Sequence, residues 1–323
     1  MLPIGRVLLV VLFVIAFAGA AAAQSWPSKP IRFVNPLGTG GTAEVLARSI
    51  ARQLSEQLGQ PIVLETKTGA AGTIGAEYVA KSAPDGYTLL YGVTGMISIA
   101  PSLYRKLPYD TEKDLAPISN AVIGPNVLIV SNALNVNTLQ ALIALAKAKP
   151  GALSFASAGA GSMSHLNGEL FKNQAGIDLL HVPYKAGGAA VPDLISGQVN
   201  MMIETSAGVP QLIRSGKLKP LAVTTRQRFS QLPDVPSFTE LGFPEIVSSV
   251  WGGVFAPGGT PRPILDRVAE EMARAARNPA YRELLASINN EPISSTPEEF
   301  RAFLREEAAK YGEVIRRTGT RIE

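Results

Sequence analysis

Cysteine is missing from all 323 residues, and histidine and tryptophan occur only twice each. Without thiols the chain can form neither disulfides nor Cys-ligated metal sites, and thiolate catalysis is excluded. The formal net charge is only +4, and no basic run is interleaved with aromatic residues. We therefore expect no nucleic-acid partner, and we expect core burial to stabilise the fold.

Complete catalytic and nucleotide-binding motifs are also missing. Neither H-E-x-x-H, G-x-S-x-G nor G-x-x-x-x-G-K-[ST] occurs. A dinucleotide-binding G-x-G-x-x-G that began at Gly38 would end on Ala43, and one that began at Gly159 would end on Ser164. We therefore expect no cofactor, no metal and no enzymatic activity. A secreted α/β hydrolase is the alternative, although no segment indicates its nucleophile.

The first 23 residues have the three parts of a secretory signal peptide. Arg6 precedes an uninterrupted apolar run at 7–17, and the small residues at 21–23 lead to Gln24. The apolar run is shorter than the ~20 residues that a membrane-spanning helix needs. We predict export to the periplasm with cleavage before Gln24, and an uncleaved anchor is the alternative.

The rest of the chain alternates short β-rich runs with amphipathic helical runs. A strand at 31–35 precedes a helix at 44–58 whose apolar residues share one face. This alternation predicts an α/β fold with mostly parallel sheets. From about Pro261 the pattern is helical, and Thr296 begins a helix with a capping-box sequence. Trp251 and the apolar stripe of this last helix are expected to pack in a core.

Two glycine-rich turns each join a predicted strand to a predicted helix. They are Gly38-Thr39-Gly40-Gly41-Thr42 and Ser157-Ala158-Gly159-Ala160-Gly161-Ser162. The first N–H groups of a helix lack partners inside the helix, and the helix dipole favours negative charge there. One such turn is common for structural reasons. Two similar turns, facing each other across a cleft, favour an anion site.

Several segments, taken in order, resemble one protein family. They include WPSKPIRFVNPLGTGGTAEVLAR, GQPIVLETKTGAAGTIGAEYVAKSAPDGYTLLYG, FASAGAGSMSHLNGELF and LLHVPYKAGGAAVPDLISGQVNMM. The succession is similar to the Bug family, the periplasmic solute-binding proteins of tripartite tricarboxylate transporters. The resemblance extends from about Trp26 to the C-terminal helix. It implies a two-lobed, type II-like Venus-flytrap fold, with a mostly parallel sheet in each lobe and a ligand cleft between the lobes.

The resemblance also implies a domain division and a set of partners. The chain is expected to cross between lobes near 118–123 and 224–228. Domain 1 would then hold residues 24–122 and 229–323, and domain 2 residues 123–228. The implied partners are a small carboxylate and the membrane subunits of a transporter, with the receptor itself a monomer. A sensor that signals through a membrane partner is the alternative.

The same resemblance implies that both glycine turns hold one ligand carboxylate. The expected ligand-binding residues are Leu37, Gly38, Thr39, Gly40, Gly41, Thr42, Met96, Ser157, Gly159, Ala160, Gly161, Ser162, Ser164 and Glu204. Glu204 ends an apolar strand, where a carboxylate can be either solvated or part of a cleft.

The chain departs from the family pattern at several of these expected cleft positions. The first turn differs at Leu37, Thr39, Thr42 and Ala43, and Met96 stands in a segment that often carries histidine in the family. These departures predict an anion site with a more apolar distal pocket. We therefore expect an organic carboxylate, either a di- or tricarboxylate or an aromatic or aliphatic acid, and we rank an acid with an apolar or aromatic body ahead of a highly polar tricarboxylate such as citrate.

Overall fold

The computed structural model describes residues 26–38 and 42–319, and the side chain of Thr318 is outside the description. The predicted signal peptide and Thr39, Gly40 and Gly41 of the first glycine turn lie outside these residues. No helix within the described ranges is long and apolar enough to cross a bilayer.

Strands and helices alternate over most of the described chain. The strands are β1 (Ile31–Asn35), β2 (Ile62–Thr66), β3 (Thr88–Val93), β4 (Leu115–Ser131), β5 (Ser154–Ser157), β6 (Leu180–Pro183), β7 (Met201–Thr205), β8 (Leu218–Val223), β9 (Ser249–Pro257) and β10 (Glu291–Pro292). The helices are α1 (Thr42–Leu58), α2 (Thr73–Ala80), α3 (Ala100–Leu103), α4 (Leu139–Ala148), α5 (Met163–Ala175), α6 (Val191–Ser196), α7 (Pro210–Arg214), α8 (Arg262–Ala275), α9 (Pro279–Ser287) and α10 (Pro297–Thr318).

The first lobe is built on the strand order β2-β1-β3-β9-β4. β1 runs parallel to β2 and β3, whereas β9 runs antiparallel to β3 and β4. Both faces of β1 are covered, because Phe33 packs in one core cluster with Ile50 of α1 and Val34 packs in another with Val79 of α2. Burial on both faces explains why the neighbouring residues Phe33 and Val34 of β1 are both apolar, although Arg32 is exposed.

The second lobe continues the sheet as β4-β7-β5-β6, with β8 also paired to β4. β5 runs parallel to both β6 and β7. Phe155 packs in a core with Leu166 of α5, and the next residue, Ala156, packs in a different core with Leu194 of α6. Each lobe is therefore an α/β layer structure whose parallel strands end at the same edge of the sheet.

The long strand β4 passes from one lobe into the other. It pairs with β9 from Leu115 to Pro125, and from Asn126 onward it pairs with β7 and β8. The change of partner comes a few residues after the crossing expected at 118–123. At this point the buried Asn126 N–H donates to the Thr224 hydroxyl at 3.0 Å, and that hydroxyl donates to the Ser248 carbonyl at 2.6 Å.

The segment that follows β8 packs against the second lobe. Residues 229–246 were expected in domain 1, but Phe238 packs against Phe171 of α5 with ring centroids 5.7 Å apart. Ile246 belongs to the same core, and the Phe238 N–H donates to the Val223 carbonyl at 3.0 Å. These apolar side chains complete the second lobe, so the chain rejoins the first sheet only with β9.

The C-terminal helix α10 contacts both lobes. It begins at the predicted capping box, in which the Thr296 hydroxyl accepts from the Glu299 N–H at 3.2 Å and the Glu299 carboxylate accepts from the Thr296 N–H at 2.8 Å. Phe300 is buried in the first lobe, whereas Tyr311 and Val314 are buried in the core of the second. The two lobes therefore share this helix in addition to the crossing strands.

Candidate ligand-binding cleft

A cavity of about 280 Å³ lies between the lobes, at the carboxyl ends of the parallel strands. From the first lobe it is lined by Leu37, Thr42, Ala43, Leu46, Tyr91, Val93, Thr94, Gly95, Val122, Val250, Trp251 and Asn290. From the crossing point and the second lobe it is lined by Asn126, Ala158, Ser162, Met163, Ser164, Glu204, Thr205 and Ala207. The cavity exceeds the ~150 Å³ that accommodates benzene in a protein core, so it is large enough for a small organic molecule.

The first glycine turn brings part of its predicted set to the cavity. The Leu37 N–H donates to the Asn35 side-chain oxygen at 3.2 Å, which bends the chain directly after β1. Leu37 and Thr42 line the cavity, and Thr42 is the first residue of α1. Gly38 is not among the described lining residues, and Thr39, Gly40 and Gly41 lie outside the described residues.

The second glycine turn places two hydroxyls on the cavity wall. Ser162 is the N-cap of α5, where its hydroxyl accepts from the His165 N–H at 3.3 Å and donates to the Gly159 carbonyl at 2.7 Å. The Ser164 hydroxyl accepts from the Ala158 N–H at 2.9 Å and lies 3.2 Å from the Ser162 hydroxyl. These bonds hold both hydroxyls in place at the N-terminus of the helix.

Several backbone N–H groups of this turn are already bonded within it. The Gly159 N–H donates to the Ser157 hydroxyl at 3.1 Å, and the Gly161 N–H donates to His165 Nδ1 at 3.0 Å. Ser157, Gly159, Ala160 and Gly161 are absent from the described lining. Gly159 and Gly161 have φ values of +110° and +77°, a region that favours glycine. These glycines shape the turn, and their direct contact with a ligand stays a prediction.

Two stacked imidazoles lie beneath the second turn. The rings of His165 and His181 have centroids 4.1 Å apart, and Phe155 stacks on His181 at 4.8 Å. Burial is the main cause that lowers the pKa of His181 to about 4, and His165 and Lys172 lower it further. Burial also lowers the pKa of His165. Both rings are therefore neutral near pH 7.

A serine–histidine contact is present, but it does not face the cleft. The Ser157 hydroxyl lies 2.7 Å from His181 Nε2. Ser157 is fully buried and is outside the described cavity lining. A nucleophile must reach its substrate, so this pair does not favour the hydrolase alternative.

Met96 is not where the sequence analysis expected it. Residues Gly95–Ile99 form a π-helical turn that directs the Met96 side chain into the core of the first lobe, where it is fully buried. Its carbonyl accepts from the Tyr109 hydroxyl at 2.8 Å. Thr94 and Gly95 line the cavity instead. Met96 is therefore outside the described lining, and its contact with a ligand stays a prediction.

Trp251 lines the cavity as well as packing in the core. Its ring meets Phe300 and Phe303 edge-on at 5.7 Å, and its Nε1 donates to the buried Glu307 at 3.2 Å. Only the core role is predicted from the sequence. The close packing beside it is visible only in the structure, where a Cβ on Gly252 would lie 2.3 Å from the Tyr91 hydroxyl.

Asn126 is a second lining residue that the sequence analysis missed. Its side-chain amide donates to the Ser248 hydroxyl at 3.1 Å and to the Met163 sulfur at 3.4 Å. Met163 also lines the cavity. The crossing point between the lobes and the cleft therefore share residues, although nothing in the local sequence pattern around Asn126 indicates this.

Glu204 extends the second-lobe wall from the end of β7. Its Oε1 accepts from the Thr205 N–H at 2.8 Å, whereas its Oε2 is buried without a hydrogen-bond partner among the described residues. Burial raises the pKa of this carboxyl, and the Thr205 hydrogen bond partly offsets that effect. The prediction left open a solvated strand end or a cleft residue, and the structure places Glu204 in the cleft.

The described lining contains no lysine, arginine or histidine. Within residues 26–38 and 42–319, no group of three or more potential ligands is arranged to hold a metal ion. Negative charge on a ligand would therefore meet hydroxyls and helix N-termini, which can bind a carboxylate without a cationic side chain.

Two α/β lobes, joined by crossing segments around a ligand-sized cavity, define a two-lobed solute-binding protein. Residues 46–320 match the profile of the Tripartite tricarboxylate transporter family receptor, and the chain belongs to this family. The match confirms the Bug-family resemblance and makes the chain a solute receptor.

Relatives match over nearly the whole chain. Protein BugT of Bordetella pertussis (strain Tohama I) is 39% identical over 322 residues, which cover 98% of this chain and 99% of BugT. The structure of R. palustris Rpa4515 with adipate has a TM-score of 0.81 and 33% identity, covering 92% of this chain and 99% of that one. The structure of MatC from Rhodopseudomonas palustris with bound malate has a TM-score of 0.76 and 30% identity, covering 90% of this chain and 100% of MatC. These similarities confirm the two-lobed fold.

Proposed function

We propose that this chain is a periplasmic receptor that captures an organic acid and delivers it to the membrane subunits of a tripartite transporter. The chemistry of the cavity carries the proposal. Hydroxyls at the starts of α1 and α5 lie beside mainly apolar walls, and the described lining has no cationic side chain. In this arrangement the ligand carboxylate binds at Thr42, Ser162 and Ser164.

The apolar walls support a ligand whose body is largely apolar. Leu37, Leu46, Val93, Val122 and Val250 all come from the first lobe. Burial of apolar surface contributes about 25 cal/mol per Å², so these walls favour an aliphatic or aromatic body over a fully polar one. The adipate of Rpa4515 and the malate of MatC support a carboxylate as the ligand class.

The lobes close on the ligand by rotation about the crossing point, in the manner of hinged binding proteins. We assign residues 26–125 and 249–319 to one lobe and residues 126–248 to the other. The change of partner along β4 and the start of β9 support this division. One chain supplies both walls of the cleft, which supports a monomer as the functional unit.

Export is the second part of the proposal. Residues 1–23 direct secretion and are removed before Gln24, as the pattern of a charged start, an apolar run and small residues predicts. Mass spectrometry of the protein from a periplasmic extract is expected to give a mature chain that begins at Gln24. An intact N-terminus in a membrane fraction would contradict cleavage.

A thermal-shift screen followed by calorimetry tests the ligand class. The panel contains aliphatic and aromatic monocarboxylates, dicarboxylates and citrate, with the corresponding uncharged amides as controls. A ligand that binds only the folded state at about 100 times its Kd adds about 2.7 kcal/mol of stability, so its effect on the melting temperature is measurable. We expect acids with apolar bodies to raise the melting temperature and the amides to leave it unchanged. Tight binding of citrate alone would contradict the proposed ligand class.

A further inference from the structure

Glu204 is the only acidic side chain among the described residues that line the cavity. The same described lining offers no lysine, arginine or histidine to neutralise it. A receptor for organic acids has thus placed a carboxyl group in its own ligand cavity. This arrangement restricts what the rest of the ligand can be.

The position of Glu204 brings it beside the second glycine turn. β5 and β7 are parallel neighbours, and their register pairs Ala156 with Met202. β5 ends at Ser157, directly before Ala158, and Glu204 is the penultimate residue of β7, so both residues lie at the carboxyl ends of neighbouring strands. Both line the cavity, together with the Ser162 and Ser164 hydroxyls.

The Glu204 carboxyl has unused hydrogen-bonding capacity. Oε1 accepts one bond from the Thr205 N–H at 2.8 Å, and Oε2 has no partner among the described residues. A carboxylate has about four lone-pair sites. Leaving a buried acceptor unsatisfied costs about 1–3 kcal/mol. Oε2 is buried beside Gly187, so the carboxyl has to rotate toward the cavity before a ligand donor can recover part of that cost.

A ligand whose only polar groups are carboxylates is instead repelled by the Glu204 carboxylate. Two carboxylates in one cavity repel each other, and the repulsion is strongest where burial excludes water. An ammonium, hydroxyl or amide group on the ligand instead provides the donor that Glu204 lacks.

We propose that Glu204 selects organic acids that also carry a hydrogen-bond-donating group, with ammonium as the strongest donor. The acid group binds at Ser162 and Ser164, and the donor binds the Glu204 carboxyl. This inference rests on the proposed function, because it assumes that the cavity binds an organic acid.

Substitution of Gly187 offers a way to move this carboxyl without removing its charge. A Cβ on Gly187 would lie 2.2 Å from Glu204 Oε2. The nearest atoms belong to the end of a flexible side chain, so Gly187→Ala displaces the carboxyl instead of the backbone. The variant keeps the charge of Glu204 and changes only its position.

Calorimetry with acids matched in chain length tests the selectivity. One set contains succinate, butyrate, γ-aminobutyrate, malate and aspartate, and a longer set contains adipate, caproate and ε-aminocaproate. In the set that binds more tightly, we expect the dissociation constant of the best donor-bearing acid to be lower by about tenfold or more than that of the acid that lacks the donor. Glu204→Gln is expected to bring that ratio close to one, and Gly187→Ala is expected to lower it. The matched control is Asp178→Asn, an exposed carboxylate of the same lobe outside the described lining, which is expected to keep the wild-type ratio.

Two results would overturn the selectivity. Either no donor-bearing acid binds more tightly than its counterpart, or both the Glu204 and the Gly187 variants retain the wild-type ratio while their melting curves show a folded protein. If the panel acids bind but without preference for a donor, the inference fails and the proposed function stands. If none of these acids, nor any acid of the broader screen, binds, both fail.

Discussion

The two lobes present different chemistry to the cleft that they share. The first lobe contributes mainly apolar side chains, among them Leu46, Val93 and Trp251, which also belong to its packed core or contact it. The second lobe contributes Ser162, Ser164 and Glu204, whose polar groups are held by bonds at strand and helix ends. We therefore propose a division of roles, in which the second lobe supplies most of the groups that bind the polar parts of the ligand and the first lobe, apart from Thr42, selects the shape of the ligand body.

The largest expected effect tests whether the first-lobe wall is part of the core. Trp251→Ala removes a ring that is 1% exposed and packs against Phe300 and Phe303. We expect the free energy of unfolding to fall by about 3–5 kcal/mol, as for other buried aromatic truncations. Urea denaturation measures it. Trp26→Phe is the control, since the buried Trp26 indole N–H has no partner among the described residues. A loss below about 1 kcal/mol would show that Trp251 belongs to the cleft and not to the core.

The second prediction concerns the point where the lobes meet. Thr224→Val keeps the shape of the side chain but removes the hydroxyl that accepts from the Asn126 N–H at 3.0 Å and donates to the Ser248 carbonyl at 2.6 Å. We expect a loss of about 1–3 kcal/mol in unfolding free energy, because buried polar groups are left unpaired. Thr225→Val, at a less buried hydroxyl that bonds only Gln227, is expected to cost less. Equal effects of the two substitutions would mean that the crossing point has no special role in stability.

The sequence predicts the regular elements well because their cause is local. The predicted strand at 31–35 has the bounds of β1. The predicted capping box is also present, with both of its hydrogen bonds between Thr296 and Glu299. In both cases the pattern of apolar residues or of side-chain hydrogen bonds lies within a few positions of the chain. The two-lobed fold followed from the family resemblance, which covers many segments at once.

The sequence predicts the site less well because side-chain direction depends on tertiary packing. Met96 is directed into the core by a π-helical turn that its sequence does not indicate. Asn126 and Trp251 reach the cavity only because β4 and β9 cross beside it. The packing of Phe238 on Phe171 likewise joins residues far apart in the chain, which a local sequence pattern does not indicate.

The third prediction separates the polar contributions of the two walls. Ser164→Ala removes a hydroxyl that is held in place by the Ala158 N–H at 2.9 Å, and we expect ligand affinity to fall about tenfold, since a bond to a charged group contributes about 1.5–3 kcal/mol. Thr42→Ala removes a hydroxyl at the start of α1 and is expected to weaken binding less, because no such bond fixes Thr42 within the described part of the turn. Calorimetry with the tightest acid of the panel measures both. A larger loss for Thr42→Ala would reverse the assigned roles of the lobes.

The smallest expected effect is on the pH dependence of the melting temperature. Both histidines lie in the second lobe, so every imidazole that mild acid can protonate belongs to that lobe. The pKa of His181 is lowered to about 4, mainly by burial, whereas an unfolded histidine titrates near pH 6.5. As the pH falls from about 6.5 to about 4, the unfolded chain therefore takes up a proton that the folded chain does not, and stability decreases over this interval and is constant above it. Burial also lowers the pKa of His165, although Glu169, whose carboxylate lies 4.0 Å from His165 Nε2, opposes part of that shift. Lys172 lowers the pKa of both histidines. Melting temperatures measured across this interval for wild type and for His181→Gln provide the comparison, and the variant is expected to lose part of the dependence. An identical pH profile in the two proteins would show that the imidazole stack does not limit the stability of the second lobe.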